Sequence, residues 1–417
     1  MKKTLRRGIA VLLFLALLSL SVRAADRFLD KTDVDEKYSQ FFASETGFDV
    51  IFMGTSHMYN TVLPQELWRD AGIASYNWGQ SNCTVPIDYY LLRLLEDYAS
   101  PRLLVVDLFG FVEYADIGNG KYRTDARDQQ RVQFDAFPLS KLKIEAVWDI
   151  FDDYENRYDF LFKFALYHSR WTEIKKDNFI PRNIPQKGAA FVLGFHDAAD
   201  YRAPETGTAS EIRSVGADYL DRLIRACEER GIEVLFTVLP FVADQANADA
   251  AASVDALLRE KYGLSLLNLL DTDAVDYGTD VHADGSHLNY IGAAAVTKLL
   301  GQILAERYPE LVRAGDPAYE SWDRDYDAYI DYKISRFEAG KLYDNLALLY
   351  GPDLHGELTV PTGFDPGEDP LLARLIRRLG DSVSVRWDGE RSGEAGILLE
   401  IKDNRTGQTV FRDECRS

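Results

Sequence analysis

The chain has 417 residues, of which 46% are hydrophobic, and a formal net charge of −20 at pH 7. This hydrophobic content is enough for a sizeable core and excludes wholesale disorder, while the length predicts one large domain with a smaller one, or two domains. A surface this acidic repels nucleic-acid phosphates and anionic lipid headgroups, so we expect no nucleic-acid partner.

The first 25 residues have the layout of a secretory signal peptide. A basic segment from Lys2 to Arg7 precedes an uncharged apolar stretch at 8–22, and small residues then allow cleavage after Ala24. The apolar stretch is shorter than the roughly 20 residues that span a bilayer, but flanking arginines leave an uncleaved signal anchor as an alternative. In either case the rest of the chain is predicted to be extracytoplasmic, either secreted or tethered to the membrane by this segment.

Five short apolar runs predict the strands of a parallel sheet. They are rich in Val, Leu, Ile and Phe and continuous rather than alternating, as expected of strands buried on both faces. The runs lie at 49–54, 74–79, 102–109, 233–240 and 264–269. Helix-like segments lie at 86–100, 210–231, 253–263 and 289–309. The alternation predicts an α/β fold, a three-layer α/β/α (flavodoxin-like) arrangement with helices on both faces of the sheet.

Two regions lie outside this alternation. An insertion at 111–208 is rich in aromatic and charged residues, and it is predicted to carry its own helices and to cover the strand ends as a lid. Residues 318–417 begin with a Tyr- and Asp-rich helical stretch, continue through a Gly/Pro-rich region and end in a predicted β-hairpin. We therefore predict a signal segment at 1–25, a main domain at 26–317 and a small C-terminal α+β domain at 318–417.

A serine, a histidine and an aspartate are predicted to meet at the carboxyl edge of this sheet, where open parallel sheets place their sites. Ser56 follows the first predicted strand by two residues. A serine hydroxyl becomes a good nucleophile only beside a base, and the base needs an orienting acid. Asp284 and His287, on the loop before the last helix, supply both. Asp280 as the acid and His282 as the base remain alternatives.

Three sequence blocks resemble the SGNH, or GDSL-like, hydrolase superfamily: FMGTSHMYNTVLP, NWGQSNC and DGSHLNYIGAAAVTKLL. The resemblance covers roughly residues 45–310. It is greatest to an exported bacterial branch that modifies cell-surface polysaccharides and is related to polysaccharide O-acetyltransferases and to the D-alanyl transfer protein of teichoic acid synthesis. The resemblance implies that Ser56 is the nucleophile, His287 the general base and then acid, and Asp284 the orienting carboxylate. The backbone N–H groups of Ser56 and Gly79 would form the oxyanion hole.

The sequence departs from the family at the third block. The superfamily commonly has Gly-x-Asn-Asp after the third strand, where this chain has VVDLFGFVEY, and Asn82 is the nearest substitute for the missing amide. His57 either packs locally or contacts the substrate. His168 and Arg170, within the insertion, either line an acceptor groove or have a structural role.

We expect neither a cofactor nor a metal ion. The three cysteines, Cys83, Cys227 and Cys415, lack the spacing of zinc ligands, and no His/Asp cluster beyond the predicted triad has it. Asp107, at the end of the third predicted strand, is interpreted as a supporting carboxylate rather than a reacting one.

These features predict an exported enzyme that forms an acyl-serine intermediate. By the resemblance, its reaction is O-acyl transfer, for example of an acetyl group, to a cell-surface or secreted polysaccharide, with a membrane-bound O-acyltransferase as donor partner. Hydrolysis of a carbohydrate or acyl ester is the first alternative. A non-catalytic glycan-binding or assembly factor on the same scaffold is the second.

Overall fold

The structure is a computed structural model that describes residues 2–29, 41–42, 44, 47–96, 98–113, 120–135, 137–161, 167–174, 185–361, 364–388 and 396–415. Its α-helices are α1 (Lys2–Leu29), α2 (Ser56–Thr61), α3 (Pro64–Ala71), α4 (Val85–Leu95), α5 (Phe109–Glu113), α6 (Arg127–Val132), α7 (Lys141–Ile150), α8 (Val215–Arg230), α9 (Gln245–Tyr262), α10 (Tyr290–Arg307), α11 (Glu320–Ile334), α12 (Leu342–Ala347) and α13 (Pro370–Leu379). Its strands are β1 (Val50–Met53), β2 (Ser75–Asn77), β3 (Leu103–Asp107), β4 (Glu233–Val238), β5 (Leu266–Asn268), β6 (Leu354–Pro361), β7 (Val383–Asp388), β8 (Ile397–Asp403) and β9 (Thr409–Cys415). Short 3-10 turns lie at Thr124–Ala126, Arg157–Phe160, His168–Thr172, Pro309–Leu311, Pro317–Tyr319, Pro366–Glu368 and Gly380–Ser382.

The first five strands form one all-parallel sheet in the order β2-β1-β3-β4-β5. Phe52 pairs with Asn77 on one side and with Val105 on the other, and β4 continues the sheet to β5. Each strand coincides with a predicted apolar run, which confirms the predicted five-stranded parallel sheet. Strands β1, β2 and β3 are buried along their whole length, and strands buried on both faces have continuous apolar runs.

Helices cover both faces of this sheet. Alternate strand residues point in opposite directions: Val50 and Phe52 lie in an apolar cluster with α3 and α10. Ile51 and Met53 lie in a second cluster with α4, α8 and α9 on the opposite face. The predicted three-layer α/β/α architecture is therefore confirmed.

The insertion contributes to the second helical layer. The Tyr90 hydroxyl of α4 donates to Asp149 of α7 at 2.7 Å, and the Tyr219 hydroxyl of α8 donates to the same carboxylate. Helices in the insertion were predicted, but α7 packs beside the sheet instead of over its strand ends. Residues 114–119, 136, 162–166 and 175–184 of the insertion lie outside the described residues, and its role as a lid stays a prediction.

The C-terminal region contains a second sheet in the order β7-β6-β8-β9. Strands β8 and β9 form the predicted antiparallel hairpin, while β6 pairs parallel to β7 and was not predicted. Helices α11, α12 and α13 pack on this sheet, and the same apolar cluster reaches Ile291 of α10. The domain boundary at 318 stays a prediction. Trp322 of α11, which follows that boundary, packs in the core of the first sheet.

The N-terminal helix α1 holds an apolar stretch, Lys3–Val22, long enough to cross a membrane by length and composition. None of this stretch is buried against the rest of the protein. These properties are compatible with a signal sequence or a membrane anchor.

Candidate active site

Ser56 is the first residue of α2 and follows a turn that requires glycine. Gly54 has a φ of +137°, and a Cβ atom there would lie 2.9 Å from the carbonyl oxygen of Asp107. A side chain would therefore clash with β3 besides being strained. The Thr55 hydroxyl then caps α2 by accepting a hydrogen bond from the N–H of His57 at 3.2 Å. The turn holds Ser56 at the carboxyl edge of the sheet.

The three residues of the predicted triad are in hydrogen-bond contact. Ser56 Oγ lies 2.8 Å from His287 Nε2, and His287 Nδ1 lies 2.8 Å from Asp284 Oδ2. An ionised carboxylate only accepts hydrogen bonds, so Nδ1 carries the proton that points at Asp284. Nε2 is then the unprotonated nitrogen and accepts the proton of the serine hydroxyl.

Asp284 is held in the ionised form. Partial burial acts to raise its pKa, but the backbone N–H groups of His287 and Ser286, at 3.0 and 2.9 Å, together with the His287 ring outweigh it. The net result is a pKa well below the usual range of a carboxyl group. His282 Nδ1, the alternative base, also lies 3.1 Å from this carboxylate. His287 contacts both Asp284 and Ser56, so it is the histidine that is placed to take the serine proton.

The loop that carries Asp284 and His287 is closed at its base. Val281 and Leu288 form an antiparallel bridge. Asn289 caps α10 by accepting from the N–H of Ile291, and its amide donates to the carbonyl of Thr279 at 2.7 Å. The sequence analysis missed Asn289, although an Asn directly before an apolar helical run is a recognisable cap signal.

Asp280 does not contact His287 through its carboxylate. That group is buried, and it binds Arg378 at 2.5 Å, the Thr279 hydroxyl at 2.9 Å and the N–H of Asp276 at 3.0 Å. The structure therefore places Asp284, and not Asp280, on the imidazole.

His57 lies under the imidazole of His287. The two rings stack with centroids 4.7 Å apart, and the opposite face of His57 stacks on Phe109 at 3.6 Å. Its Nε2 is 3.4 Å from Ser286 Oγ. Burial and the nearby His287 lower the pKa of His57 well below its ordinary value, against a smaller opposing effect of Asp284. His57 is only 2% exposed and packs locally, as one of the two interpretations expected.

Gly79 and Asn82, predicted together with the Ser56 N–H for the oxyanion hole, lie on the loop after β2. The Gly79 N–H donates to Asn77 Oδ1 at 3.0 Å. A Cβ at Gly79 would lie 2.9 Å from the backbone nitrogen of Tyr59, so glycine lets this loop run close over α2. Asn82 has a φ of +53°, and its amide donates to Gln129 of α6. The oxyanion role of Gly79 and Asn82 stays a prediction. For Gly79, this role requires that its N–H leave Asn77 Oδ1 and donate to the substrate oxyanion instead.

Asn77 is a second residue that the sequence analysis missed. Its amide donates to the carbonyls of Met58 at 2.9 Å and Val62 at 2.7 Å, at the end of α2. Its side-chain oxygen accepts from Gly79. The buried Asn77 amide thus links α2 to the loop after β2. A polar residue at the end of an otherwise apolar strand is the sequence signal that could have identified it.

His168 and Arg170 lie in the 3-10 turn His168–Thr172, which contacts the end of α1. His168 is exposed, and the Arg170 guanidinium donates to the carbonyl of Leu29 at 2.9 Å and to Glu173 at 3.1 Å. Their contribution to an acceptor groove stays a prediction.

Two buried carboxyl groups lie beneath the serine turn. Asp107 accepts from the N–H of Leu239 at 3.1 Å, and Asp88 accepts from the thiol of Cys83 at 3.2 Å and from the backbone of Gly54. Burial raises the pKa of each to about 7 despite these hydrogen bonds. The Asp107 carboxyl accepts from the backbone of Leu239 and Phe109, and its supporting role stays a prediction.

Within the described residues, no group of three or more His, Cys, Asp or Glu side chains is arranged to hold a metal ion.

Comparisons with known proteins were made by family model, by sequence and by structure. No protein-family model matches the chain, and no curated protein matches it. Among solved structures, the chain is similar to a "putative acylhydrolase" from Bacteroides fragilis NCTC 9343 with 14% sequence identity and a TM-score of 0.32, over 67% of this chain and 98% of that chain. At that level of similarity the neighbour does not define an activity for this chain.

Proposed function

We propose that this protein is an exported serine-dependent acyl-ester enzyme that works through an acyl-serine intermediate. The observation that carries the proposal is the unbroken chain of hydrogen bonds from Ser56 through His287 to Asp284, with both distances at 2.8 Å. A nucleophile, a base and an orienting acid in this arrangement are the recurring solution to acyl transfer on unrelated folds.

In the first half-reaction, Ser56 Oγ attacks the ester carbonyl while His287 Nε2 takes the hydroxyl proton. The proton then passes to the departing alcohol oxygen as the bond between that oxygen and the acyl carbon breaks, leaving the acyl group on Ser56. Asp284 stays ionised and stabilises the imidazolium that forms transiently. The neutral ring of His57 supports that imidazolium without repelling it.

In the second half-reaction, His287 takes a proton from an acceptor hydroxyl as its oxygen bonds to the acyl carbon, and it returns that proton to Ser56 Oγ as the bond between Oγ and the acyl carbon breaks. A sugar hydroxyl makes the protein an O-acyltransferase, and water makes it an esterase. We favour transfer to a cell-surface or secreted polysaccharide, supplied with acyl groups by a membrane-bound O-acyltransferase. The motif resemblance supports this choice, and the apolar α1 agrees with an extracytoplasmic location.

The first test is covalent labelling of the serine with a fluorophosphonate probe, read by intact mass. We expect one adduct on the wild type and none on Ser56→Ala. Ser335→Ala, the same change on an exposed helix end, is the matched control and should label like the wild type. A folded wild type that stays unlabelled, or a Ser56→Ala variant that still labels, contradicts the proposal and favours the non-catalytic glycan-binding alternative.

A second assay separates transfer from hydrolysis. The protein is acetylated with p-nitrophenyl acetate, and a soluble glycan is added in increasing concentration. Transfer predicts that acetyl esters accumulate on the glycan and that release of free acetate falls. Rapid acetate release with an unmodified glycan supports the esterase alternative.

A further inference from the structure

The C-terminal helix α13 contacts the base of the loop that carries Asp284 and His287. The Arg378 guanidinium binds Asp280 through two nitrogens, at 2.5 and 3.2 Å, and donates to the carbonyl of Ala274 at 2.7 Å. The Asp280 side chain is completely buried, and that of Arg378 is 19% exposed. Arg378 is thus a cation beside a carboxylate that is shielded from solvent.

Asp280 determines the path of the loop on both sides of its tip. Its carboxylate accepts from the N–H of Asp276 at 3.0 Å on the incoming side. On the outgoing side its carbonyl accepts from the N–H of Asn289 at 2.8 Å. A Cβ at Gly292 would lie 2.8 Å from that same carbonyl, so the start of α10 packs directly against Asp280. The Asp280 backbone is therefore in direct contact with Asn289, two residues after His287.

A second arginine of α13 holds a neighbouring segment. Arg374 lies one helical turn before Arg378, so both side chains project from the same face of α13. Arg374 binds Asp197 at 2.7 Å. The segment 192–198 in turn lies along the loop, because the N–H of His196 donates to the carbonyl of Val281 at 3.0 Å. One face of α13 therefore supports the loop directly and through this segment.

We propose that Arg378 is a positioning residue for the reaction, and that the C-terminal region is required because it supplies this residue. The inference rests on the proposed function, since positioning has meaning only if Ser56 and His287 react. It assigns a role to the last hundred residues: they hold the base at the distance from Ser56 that proton transfer needs.

The physical reason is the imbalance left when one partner of a buried ion pair is removed. Asp280 without Arg378 is an uncompensated buried charge, and such a group takes up a proton or moves toward water. Either change loosens the base of the loop. A misplacement of about 1 Å between reacting groups lowers rates by up to about a hundredfold, so we expect a tenfold to hundredfold slower reaction of Ser56.

The test compares fluorophosphonate labelling rates of the full chain with Arg378→Met, Arg378→Lys and Arg405→Met. Arg405 is the matched control because it lies in the same region, is 24% exposed and binds three carboxylates, of Asp327, Asp331 and Asp403. All variants are assayed well below their melting temperatures. We expect Arg378→Met to label at least tenfold more slowly than the wild type, and Arg405→Met to label within about twofold of it, even if its melting temperature falls equally.

Rescue by the conservative variant distinguishes positioning from general stability. Arg378→Lys keeps a cation beside Asp280 but loses the planar fork, so its rate should lie between those of Arg378→Met and the wild type. If Arg378→Met does not fold, Arg378→Gln replaces it and is judged by the same rates. If the wild type labels and a folded Arg378→Met labels at the same rate, this inference is overturned but the proposed function is not. An unlabelled wild type overturns the proposed function and this inference with it.

Discussion

At the scale of single residues, Asp88 and Asp107 link protonation to stability. Burial is the largest influence on each, and it raises each pKa to about 7 in the folded protein, above the value of about 3.9 in an unfolded chain. Between these pH values the folded protein binds more protons than the unfolded chain. Each group therefore makes the folded protein less stable as the pH rises from about 4 to about 7.

Replacing Asp107 by asparagine should remove part of this dependence. The amide keeps an acceptor for the N–H of Leu239 and never ionises. We expect the loss of stability between pH 5 and pH 8 to be smaller in Asp107→Asn than in the wild type, by on the order of 2 kcal/mol. Melting temperatures across this range measure the effect. Asp128→Asn, at an exposed carboxylate, is the matched control variant.

At the scale of elements, Asn77 makes α2 and the loop after β2 one unit. Asn77→Ala leaves the carbonyls of Met58 and Val62 and the N–H of Gly79 without their side-chain partner. The Met58 carbonyl keeps its bond from the N–H of Val62, so the Val62 carbonyl loses most, and an unsatisfied buried group costs about 1–3 kcal/mol. We expect a lower melting temperature together with slower labelling of Ser56.

The matched variant for this prediction is Asn77→Asp. It retains an acceptor for Gly79 but loses both donors to the end of α2. It should be about as unstable as Asn77→Ala if the α2 carbonyls dominate, and closer to the wild type if Gly79 does. A wild-type labelling rate and melting temperature for Asn77→Ala would show that the Asn77 amide stabilises neither α2 nor the loop after β2.

The strands and the helices differ in how far the sequence predicted them. The five strands of the first sheet are short apolar runs, so their existence followed from composition, and their parallel pairing followed from the helix-like segments between them. Helix α13 was missed, although Asp369 caps it, Pro370 begins it and Gly380 ends it. It follows a Gly- and Pro-rich stretch, whose composition is typical of loops, and β6 lies within that stretch and was missed for the same reason.

The site shows the same division. Ser56, His287 and Asp284 were chosen from residue type, spacing and strand position, and the fold brings them into contact. The partnership of Asp280 with Arg378 joins residues 98 positions apart. A single sequence holds no signal for such a pair, because any arginine can neutralise any carboxylate and only the packing of α13 selects these two.

At the scale of the whole molecule, we expect α1 to determine where the protein resides. Its apolar stretch has no contact that buries it, so the helix is available to a membrane or to a signal peptidase. We expect intact mass of the exported protein to correspond to a chain that starts at Ala25. Ala24→Arg should block cleavage, because the peptidase site needs small residues. The full-length mass confined to membranes would identify an anchor, and recovery of full-length protein from the cytoplasm would contradict export.

The order in which the triad lies along the chain has a consequence for timing. Ser56 is synthesised first, its base follows 231 residues later, and Arg378 follows more than three hundred residues later. A growing or translocating chain therefore carries an ordinary serine until the His287 loop, and then α13, has emerged and folded. Under the proposed function, the chain would stay chemically silent along its route without a propeptide or an inhibitor, because the base arrives late.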